Sequence, residues 1–302
     1  GGHNWQPMAF SPQTRLVYIP TLEMPMKFSQ EPGPARYVPG TYNTETDTAP
    51  PDLVADAALM KQSPPFVMQS VLKAWDPLAG KAVWQSAPMP WWSGGVLTTA
   101  GGLVIQGAAD GVLTVYEATT GRVLKRIETG LAIMAPPMTY AIDGEQYIVV
   151  LAGIGGAMSV RHLPGFAALE YENQERLFAF RLDGGPTPLP KRLVEKPHYP
   201  APENLPTDPQ TLAQGKALYE RFCARCHAPR NAPNNFPDLW NMSPGTYESF
   251  DAIVLQGAMS QAGMASFADV LSKQDALAIR AFIAADQRAM RRETGLQAIA
   301  HQ

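Results

Sequence analysis

The chain has 302 residues, enough for two domains at roughly 150 residues each. Its 24 basic and 27 acidic side chains leave a formal charge of −3, so nucleic-acid binding has no electrostatic basis. No apolar run approaches the roughly 18 to 20 residues that span a bilayer, and the only two cysteines sit three positions apart, a spacing for cofactor chemistry and not for a structural disulfide.

The chain opens Gly1-Gly2-His3-Asn4-Trp5, already strand-like and aromatic, with no initiator Met and no signal peptide. This reads as a fragment or a processed product. Residues 1–185 are expected to form short strands. Gly101-Gly102-Leu103-Val104-Ile105, Leu113-Thr114-Val115-Tyr116 and Gln146-Tyr147-Ile148-Val149-Val150-Leu151 are apolar, β-branched or aromatic runs. Asp110-Gly111, Thr120-Gly121 and Asp143-Gly144 punctuate them, and Ala141–Gln146 has the residues of a tight hairpin tip.

An internal repeat lies within this half. Ala74-Trp75-Asp76-Pro77-Leu78-Ala79-Gly80-Lys81 aligns with Val115-Tyr116-Glu117-Ala118-Thr119-Thr120-Gly121-Arg122, with Trp75/Tyr116, Asp76/Glu117, Gly80/Gly121 and Lys81/Arg122 each 41 residues apart. A period of about 40 to 50 in an all-β region matches one four-stranded propeller blade. A third, weaker copy runs from Leu177-Phe178-Ala179-Phe180 to Gly184. A segment of this length holds about four blades, so it is either a small closed ring or an open part of a larger one.

Eight prolines in residues 186–209 make an extended linker. From residue 210 the periodicity is helical, with Leu212, Gly215, Leu218, Tyr219 and Phe222 at three- and four-residue spacing. A last helix is expected from Ser272, whose spacing to Asp275 resembles a capping box, through Ala276, Leu277, Ile279, Phe282 and Ile283.

Between these helices stands Cys223-Ala224-Arg225-Cys226-His227, a C-x-x-C-H motif that reads as covalent c-type haem attachment. Two thiols at this spacing reach the two vinyl groups on one porphyrin edge, and His227 follows as the proximal iron ligand. A redox dithiol would open a helix beside a strand, and a zinc site would need further ligands, for which no other Cys exists. Met is the common second ligand in electron-transfer cytochromes because it raises the potential. Met242, Met259, Met264 and Met290 are available; Met264, in Gly263-Met264-Ala265-Ser266-Phe267 before the last helix, is preferred, with Met259 its rival and core packing the alternative for each.

Residues 210–302 resemble the class I cytochromes c, which place C-x-x-C-H after a first helix and a G-M-P-x-F-like loop before a last helix that crosses the first. Ala265 replaces the usual Pro, while Gly215, Tyr219 and Phe282 look like the crossing. The β half resembles the quinohaemoprotein alcohol dehydrogenases, periplasmic enzymes that use pyrroloquinoline quinone (PQQ). The resemblance runs through Gly2-His3-Asn4-Trp5, Leu16-Val17-Tyr18-Ile19-Pro20, Trp91-Trp92-Ser93-Gly94-Gly95, Gly107-Ala108-Ala109-Asp110-Gly111, Pro137-Met138-Thr139-Tyr140 and Leu151-Ala152-Gly153-Ile154-Gly155-Gly156, and a cytochrome after a Pro-rich linker completes the order.

That resemblance implies about half of an eight-bladed PQQ-dehydrogenase propeller (1–185), a linker (186–209) and an all-α class I cytochrome c domain (210–302). It implies PQQ near the axis, touched by Asn4 and Trp5, with Trp92 and the backbone around Gly156 and Ala157 lining the same cavity. Ile154 and Ala157 stand in a stretch where family members often carry Trp, and blade packing is the alternative role for Trp5 and Trp92. It implies a Ca²⁺ ion beside the quinone, an Asp base and a vicinal disulfide, all expected before Gly1. The activity implied is oxidation of an alcohol to an aldehyde or ketone, with electrons passing to haem c and on to an external cytochrome, cupredoxin or quinone-linked partner. The competing reading is a non-enzymatic electron-transfer cytochrome tethered to a β scaffold. Haem attachment through thioethers places the protein in the periplasm.

Overall fold

The computed structural model describes residues 2–23, 33–34, 37, 69–90, 92–154, 165–194, 199–224, 226–227 and 236–294. They fall into two compact units, and the chain passes from the strands of one to the helices of the other between Leu193 and Val194.

The β unit contains three antiparallel sheets. The first runs β1 (Ala9–Ser11), β2 (Leu16–Glu23), β3 (Gln69–Asp76), β4 (Lys81–Gln85), with β5 (Met89–Pro90) also pairing with β3. The second is the meander β6 (Ser93–Thr98), β7 (Leu103–Ala108), β8 (Val112–Glu117), β9 (Val123–Glu128). The third is β10 (Met138–Ile142), β11 (Glu145–Ala152), β12 (Arg176–Arg181). The Asp143-Gly144 tip joins β10 to β11 with both residues at positive φ (51° and 83°), the conformation that a two-residue hairpin of this type demands.

Alternation along the strands decides how the sheets stack. Leu16, Tyr18, Leu72 and Ala74 of the first sheet meet Val96, Val104 and Tyr116 of the second in one core. Ile105, Leu113 and Val115 from the other face of the second sheet meet Val150, Ala152 and Phe178 of the third. Each sheet is thus a blade packed on the next, and among the described residues the three do not close into a ring: the β half is a propeller portion. The outward face of the third sheet leaves Met138, Tyr140, Ile142, Leu151 and Leu177 exposed.

The repeat appears at atomic detail. Register shifts fall between Ala74 and Trp75 on β3 and between Val115 and Tyr116 on β8, at equivalent positions of the two copies. Each copy then closes a turn in the same way, Gly80 N–H donating to Asp76 O and Gly121 N–H to Glu117 O, both at 2.9 Å, with the glycines at φ 64° and 73°. Gly121 is required twice over, because a Cβ there would lie 2.5 Å from the Trp84 ring. That ring packs between Tyr18 and Tyr116 (5.8 and 6.0 Å between centroids), and its Nε1–H donates to Ala118 O at 2.9 Å. The Tyr18 hydroxyl donates to the same carbonyl at 3.0 Å, tying the first blade to the second.

Residues 186–193 lie along the β unit. Arg192 bridges Tyr171, Glu172 N–H donates to Lys191 O (2.9 Å), and Arg176 donates to Pro188 O (2.8 Å). Residues 199–202 lie on the helical unit, where Tyr199 N–H donates to Asn241 Oδ1 (3.0 Å), Gln287 to Tyr199 O (2.9 Å) and Arg288 to Pro202 O.

The helical unit has α1 (Pro209–Phe222), α2 (Pro244–Glu248), α3 (Phe250–Val254) and α4 (Lys273–Thr294). Asp208 caps α1 by accepting from Thr211 N–H (2.9 Å), with Pro209 in the first turn where its missing N–H costs nothing. Ser272 and Asp275 close a reciprocal box at α4: Asp275 accepts from Ser272 N–H (2.9 Å), and Ser272 Oγ accepts from Asp275 N–H (3.2 Å). Tyr219, Trp240, Tyr247, Phe250, Ile279 and Ile283 form the core. The helices α1 and α4 cross at Gly215, where a Cβ would sit 2.0 Å from Ala278 O and 2.9 Å from Phe282 Cβ.

Gly215→Ala tests this crossing. Alanine gains about 1 kcal/mol of helix propensity, but its methyl forces two backbones apart, so we expect a net loss of about 2 kcal/mol in chemical denaturation followed by far-UV circular dichroism. A variant as stable as the parent would show that the crossing does not depend on this contact.

Candidate cofactor sites

Helix α1 ends on the attachment motif. Cys223 and Ala224 N–H both return to Tyr219 O (2.8 and 2.9 Å), and Cys226 and His227 N–H then both return to Cys223 O (3.1 and 2.9 Å). This single tight turn gathers the two sulfurs and the imidazole at one end of the helix. Cys223 and His227 are buried, Cys226 is exposed, and no disulfide joins the cysteines. Burial, with a smaller contribution from Cys226, pushes the Cys223 thiol up to about 12, so as a free thiol it would be protonated and unreactive as a redox nucleophile at neutral pH.

His227 is fixed from two sides. Its Nδ1–H donates to Pro237 O at 2.8 Å, leaving Nε2 with a free lone pair. The Tyr219 hydroxyl donates to the His227 carbonyl at 2.6 Å. Burial lowers the imidazole below its ordinary pKa, partly offset by the Pro237 hydrogen bond, so the neutral, ligating form is favoured. Phe236 stands against the ring at 6.1 Å.

The surroundings fit a flat apolar group. Phe222, Ala224, Met264 and Phe267 pack against the core yet stay only partly buried, and Phe222 meets Phe267 edge to face at 6.2 Å. The four methionines separate by environment. Met242 and Met290 are buried members of the core, whereas Met259 is 47% exposed. Met264 lies half-buried on the core's edge, its N–H donating to Met259 O at 3.1 Å after the left-handed Gly263.

In the β unit, Trp5 and Trp92 are brought together, their rings 6.2 Å apart and 26° from parallel. Trp92 has φ +78°, a backbone conformation that a bulky residue adopts only when its surroundings impose it. Those surroundings are a core of Leu22, Ala109, Ala132, Met134, Ile154 and Phe166. Trp5 is 48% exposed and Asn4 beside it is exposed, whereas Trp92 is buried, so Trp5 presents the open indole face, suited to stacking a flat aromatic ring. Gly156 and Ala157 lie outside the described residues, as does Trp91.

The Tyr219 hydroxyl and the Pro237 carbonyl are contacts to His227 that motif reading does not reach. Tyr219 stands four residues before Cys223, and its spacing announces a helix face, not a bond to His227. The Pro237 acceptor is a backbone atom. Among the described residues no cluster of three His, Cys, Asp or Glu side chains could hold a metal ion, and no helix is long and apolar enough to cross a membrane.

Stacked, unclosed β-blades followed by a helical unit with C-x-x-C-H describe a propeller portion joined to a cytochrome c-like domain. Comparison with known proteins gives the same division. The glucose/ethanol/alcohol dehydrogenase β-propeller domain matches residues 1–148, and the family described as cytochrome C oxidase, cbb3-type, subunit III matches residues 210–283. The chain is 36% identical over 294 residues to quinohemoprotein alcohol dehydrogenase ADH IIB of Pseudomonas putida, and 34% identical over 304 residues to the quinohemoprotein alcohol dehydrogenase of Comamonas testosteroni. These alignments cover 94% and 96% of this chain but 40% of either relative. Lupanine 17-hydroxylase [cytochrome c] of a Pseudomonas species is 35% identical, with 94% of this chain and 39% of that protein covered. The crystal structure of the Comamonas testosteroni enzyme superposes with a TM-score of 0.71 at 33% identity, covering 96% of this chain and 42% of that one. The structure of ADHIIG from Pseudomonas putida HK5 gives 0.80 at 30% identity, covering 98% and 43%. The chain is a homologue of the quinohaemoprotein alcohol dehydrogenases across nearly its whole length, and it spans about two fifths of theirs.

Tyr219→Phe isolates the hydroxyl bond to His227. It leaves a buried carbonyl without its donor, so unfolding free energy measured by denaturant titration should fall by about 1 to 2 kcal/mol. A change near zero would mean that the phenol serves only as packing.

Proposed function

We propose that this chain serves PQQ-dependent alcohol oxidation, taking electrons from the quinone to a covalently bound haem c and on to an external acceptor. The observation that carries the reading is the pairing, in one chain, of the exposed Trp5 indole, stacked on the buried Trp92, with an attachment turn whose histidine already has Nδ1 engaged and Nε2 free. When bound, the quinone accepts the two electrons of alcohol oxidation and the haem relays them singly.

This chain's own residues bind and orient. Cys223 and Cys226 would form the thioethers, and His227 would supply Nε2 to the iron, held in rotation by Pro237 O and in position by the Tyr219 hydroxyl. Met264 would supply the second iron ligand, in preference to the exposed Met259 and the core residues Met242 and Met290. A thioether and an imidazole together would favour a raised potential. Asn4, Trp5 and Trp92, with the backbone at Gly156 and Ala157, are assigned to the quinone: the exposed Trp5 indole would stack on it, with Trp92 behind Trp5 as support. We assign residues 1–185 to the propeller portion, 186–209 to the linker and 210–302 to the cytochrome domain. No catalytic base or Ca²⁺ ligand is assigned to these residues, and the oxidation itself would need groups beyond them. A small alcohol as substrate, a small redox protein or quinone-linked subunit as acceptor, and a periplasmic setting complete the proposal.

Visible spectra of the purified 302-residue protein, with PQQ, Ca²⁺ and a primary alcohol added in turn, test it. Dithionite is expected to sharpen a c-type band that alcohol leaves unchanged; absence of any c-type band would overturn the haem assignment, and reduction by alcohol would overturn the statement that the chemistry needs further groups. Redox titration separates the axial candidates. Met264→Ala should lower the midpoint potential and abolish the red charge-transfer absorption of a sulfur-ligated ferric haem, while Met259→Ala leaves both in place; the reverse pattern would transfer the role to Met259.

A further inference from the structure

The residues directly following the two stacked tryptophans share an unusual condition. Gln6 and Ser93 are each at most 1% exposed, and neither polar atom of the Gln6 amide nor Ser93 Oγ has a hydrogen-bond partner in the protein. Gln106, also 1% exposed, donates its Nε2–H to Gly94 O at 3.0 Å but leaves Oε1 without a partner.

The backbone places these groups together. Trp5 faces Trp92, while Pro7 O accepts from Val96 N–H at 3.0 Å, so residues 5–7 run alongside residues 92–96 in the same direction. A Cβ on Gly95 would lie 2.7 Å from Pro7 Cδ, which measures how closely the two segments approach. Gln6 therefore sits beside Ser93 and Gly94, and Gln106 reaches Gly94 from β7 on the other side. A register shift between Ser93 and Val96 opens the β6–β7 ladder at this place.

We propose that Gln6, Ser93 and Gln106 form an internal water-binding site behind the tryptophan pair. Four polar atoms without a partner in the protein belong to three side chains that are each at most 1% exposed, and these side chains stand on backbone segments that run side by side. A buried water makes about three hydrogen bonds, so one or two waters satisfy the set. Buried polar groups are almost always bonded, which makes a dry arrangement the exceptional one. The waters bridge the 5–7 segment to β6 and so fix the separation of the backbones that carry Trp5 and Trp92. Gln6, Ser93 and Gln106 are thus positioning residues for the indole pair. Their relevance to a quinone rests on the function proposed above; the water site itself does not.

A crystal structure of the 302-residue protein that resolves ordered solvent is the direct test. Water within hydrogen-bond distance of both the Gln6 amide and Ser93 Oγ is expected. A dry site, or a direct bond between the two glutamines, overturns the proposal. The positioning role is read from near-UV circular dichroism, where the parent-minus-Trp5→Phe difference defines the signal of the stacked pair. Gln6→Leu should lose most of that signal while the cytochrome spectrum stays unchanged. If Gln6→Leu fails to fold, Ser93→Ala, which removes one atom, is measured in its place. A retained signal in the folded variant overturns the positioning role. Neither readout uses PQQ, so both outcomes stand apart from success or failure of the alcohol-oxidation reading.

Discussion

Two helices can approach to backbone contact only where a side chain is missing, and the helical unit is organised around one such place. At Gly215 the helix α1 lies directly on the carbonyl of Ala278 in α4, with the Tyr219 and Phe282 rings 5.6 Å apart one turn further on. The contact fixes where α1 ends, hence where Cys223 and the turn to His227 begin. It also fixes the start of α4 relative to the Met264 loop. Tyr219 belongs to both layers: its ring fills the crossing and its hydroxyl holds the His227 carbonyl. A single glycine thereby couples helix packing to the geometry of the attachment turn.

The β unit solves a comparable problem with aromatic rings. Each blade must be held to its neighbour at the outer end as well as through its apolar faces. Trp84 does this by reaching from the first sheet into the turn of the second, where Gly121 makes room and Ala118 O accepts both the indole and the Tyr18 hydroxyl. Further in, Gly107 allows Ile133 to lie flat on β7, since a Cβ there would stand 2.1 Å from Ile133 Cγ2. Trp92 keeps its left-handed conformation, with its ring against Trp5, inside a separate core of Leu22, Ala109, Met134 and Phe166.

Much of this architecture is visible in the residues themselves, because it rests on period and turn chemistry. The 41-residue offset between Trp75 and Tyr116 carries even the strand irregularity with it, and Asp143-Gly144 and the Ser272–Asp275 box specify their local backbone outright. Gly215, Tyr219 and Phe282 are readable as a helix crossing for the same reason. Contacts that end on backbone atoms leave no such trace. Nothing about Pro237 or Ala118 as residue types predicts that their carbonyls anchor His227 and Trp84. The burial of Gln6 is equally hidden, since a glutamine between Trp5 and Pro7 reads as an exposed loop residue until the neighbouring strand is in place. Gly156 and Ala157 fall outside the described residues, and the resemblance alone points to them.

The third sheet has a practical consequence. Its inner face is covered by the second blade, while Met138, Tyr140, Ile142, Leu151 and Leu177 look outward. Contiguous apolar surface of this kind lowers its free energy whenever another apolar body covers it. In concentrated solution the chain would therefore behave as a sticky colloid. The colour of the haem and the solubility of the polypeptide would then be governed by separate parts of the molecule, and loss of one would not report on the other.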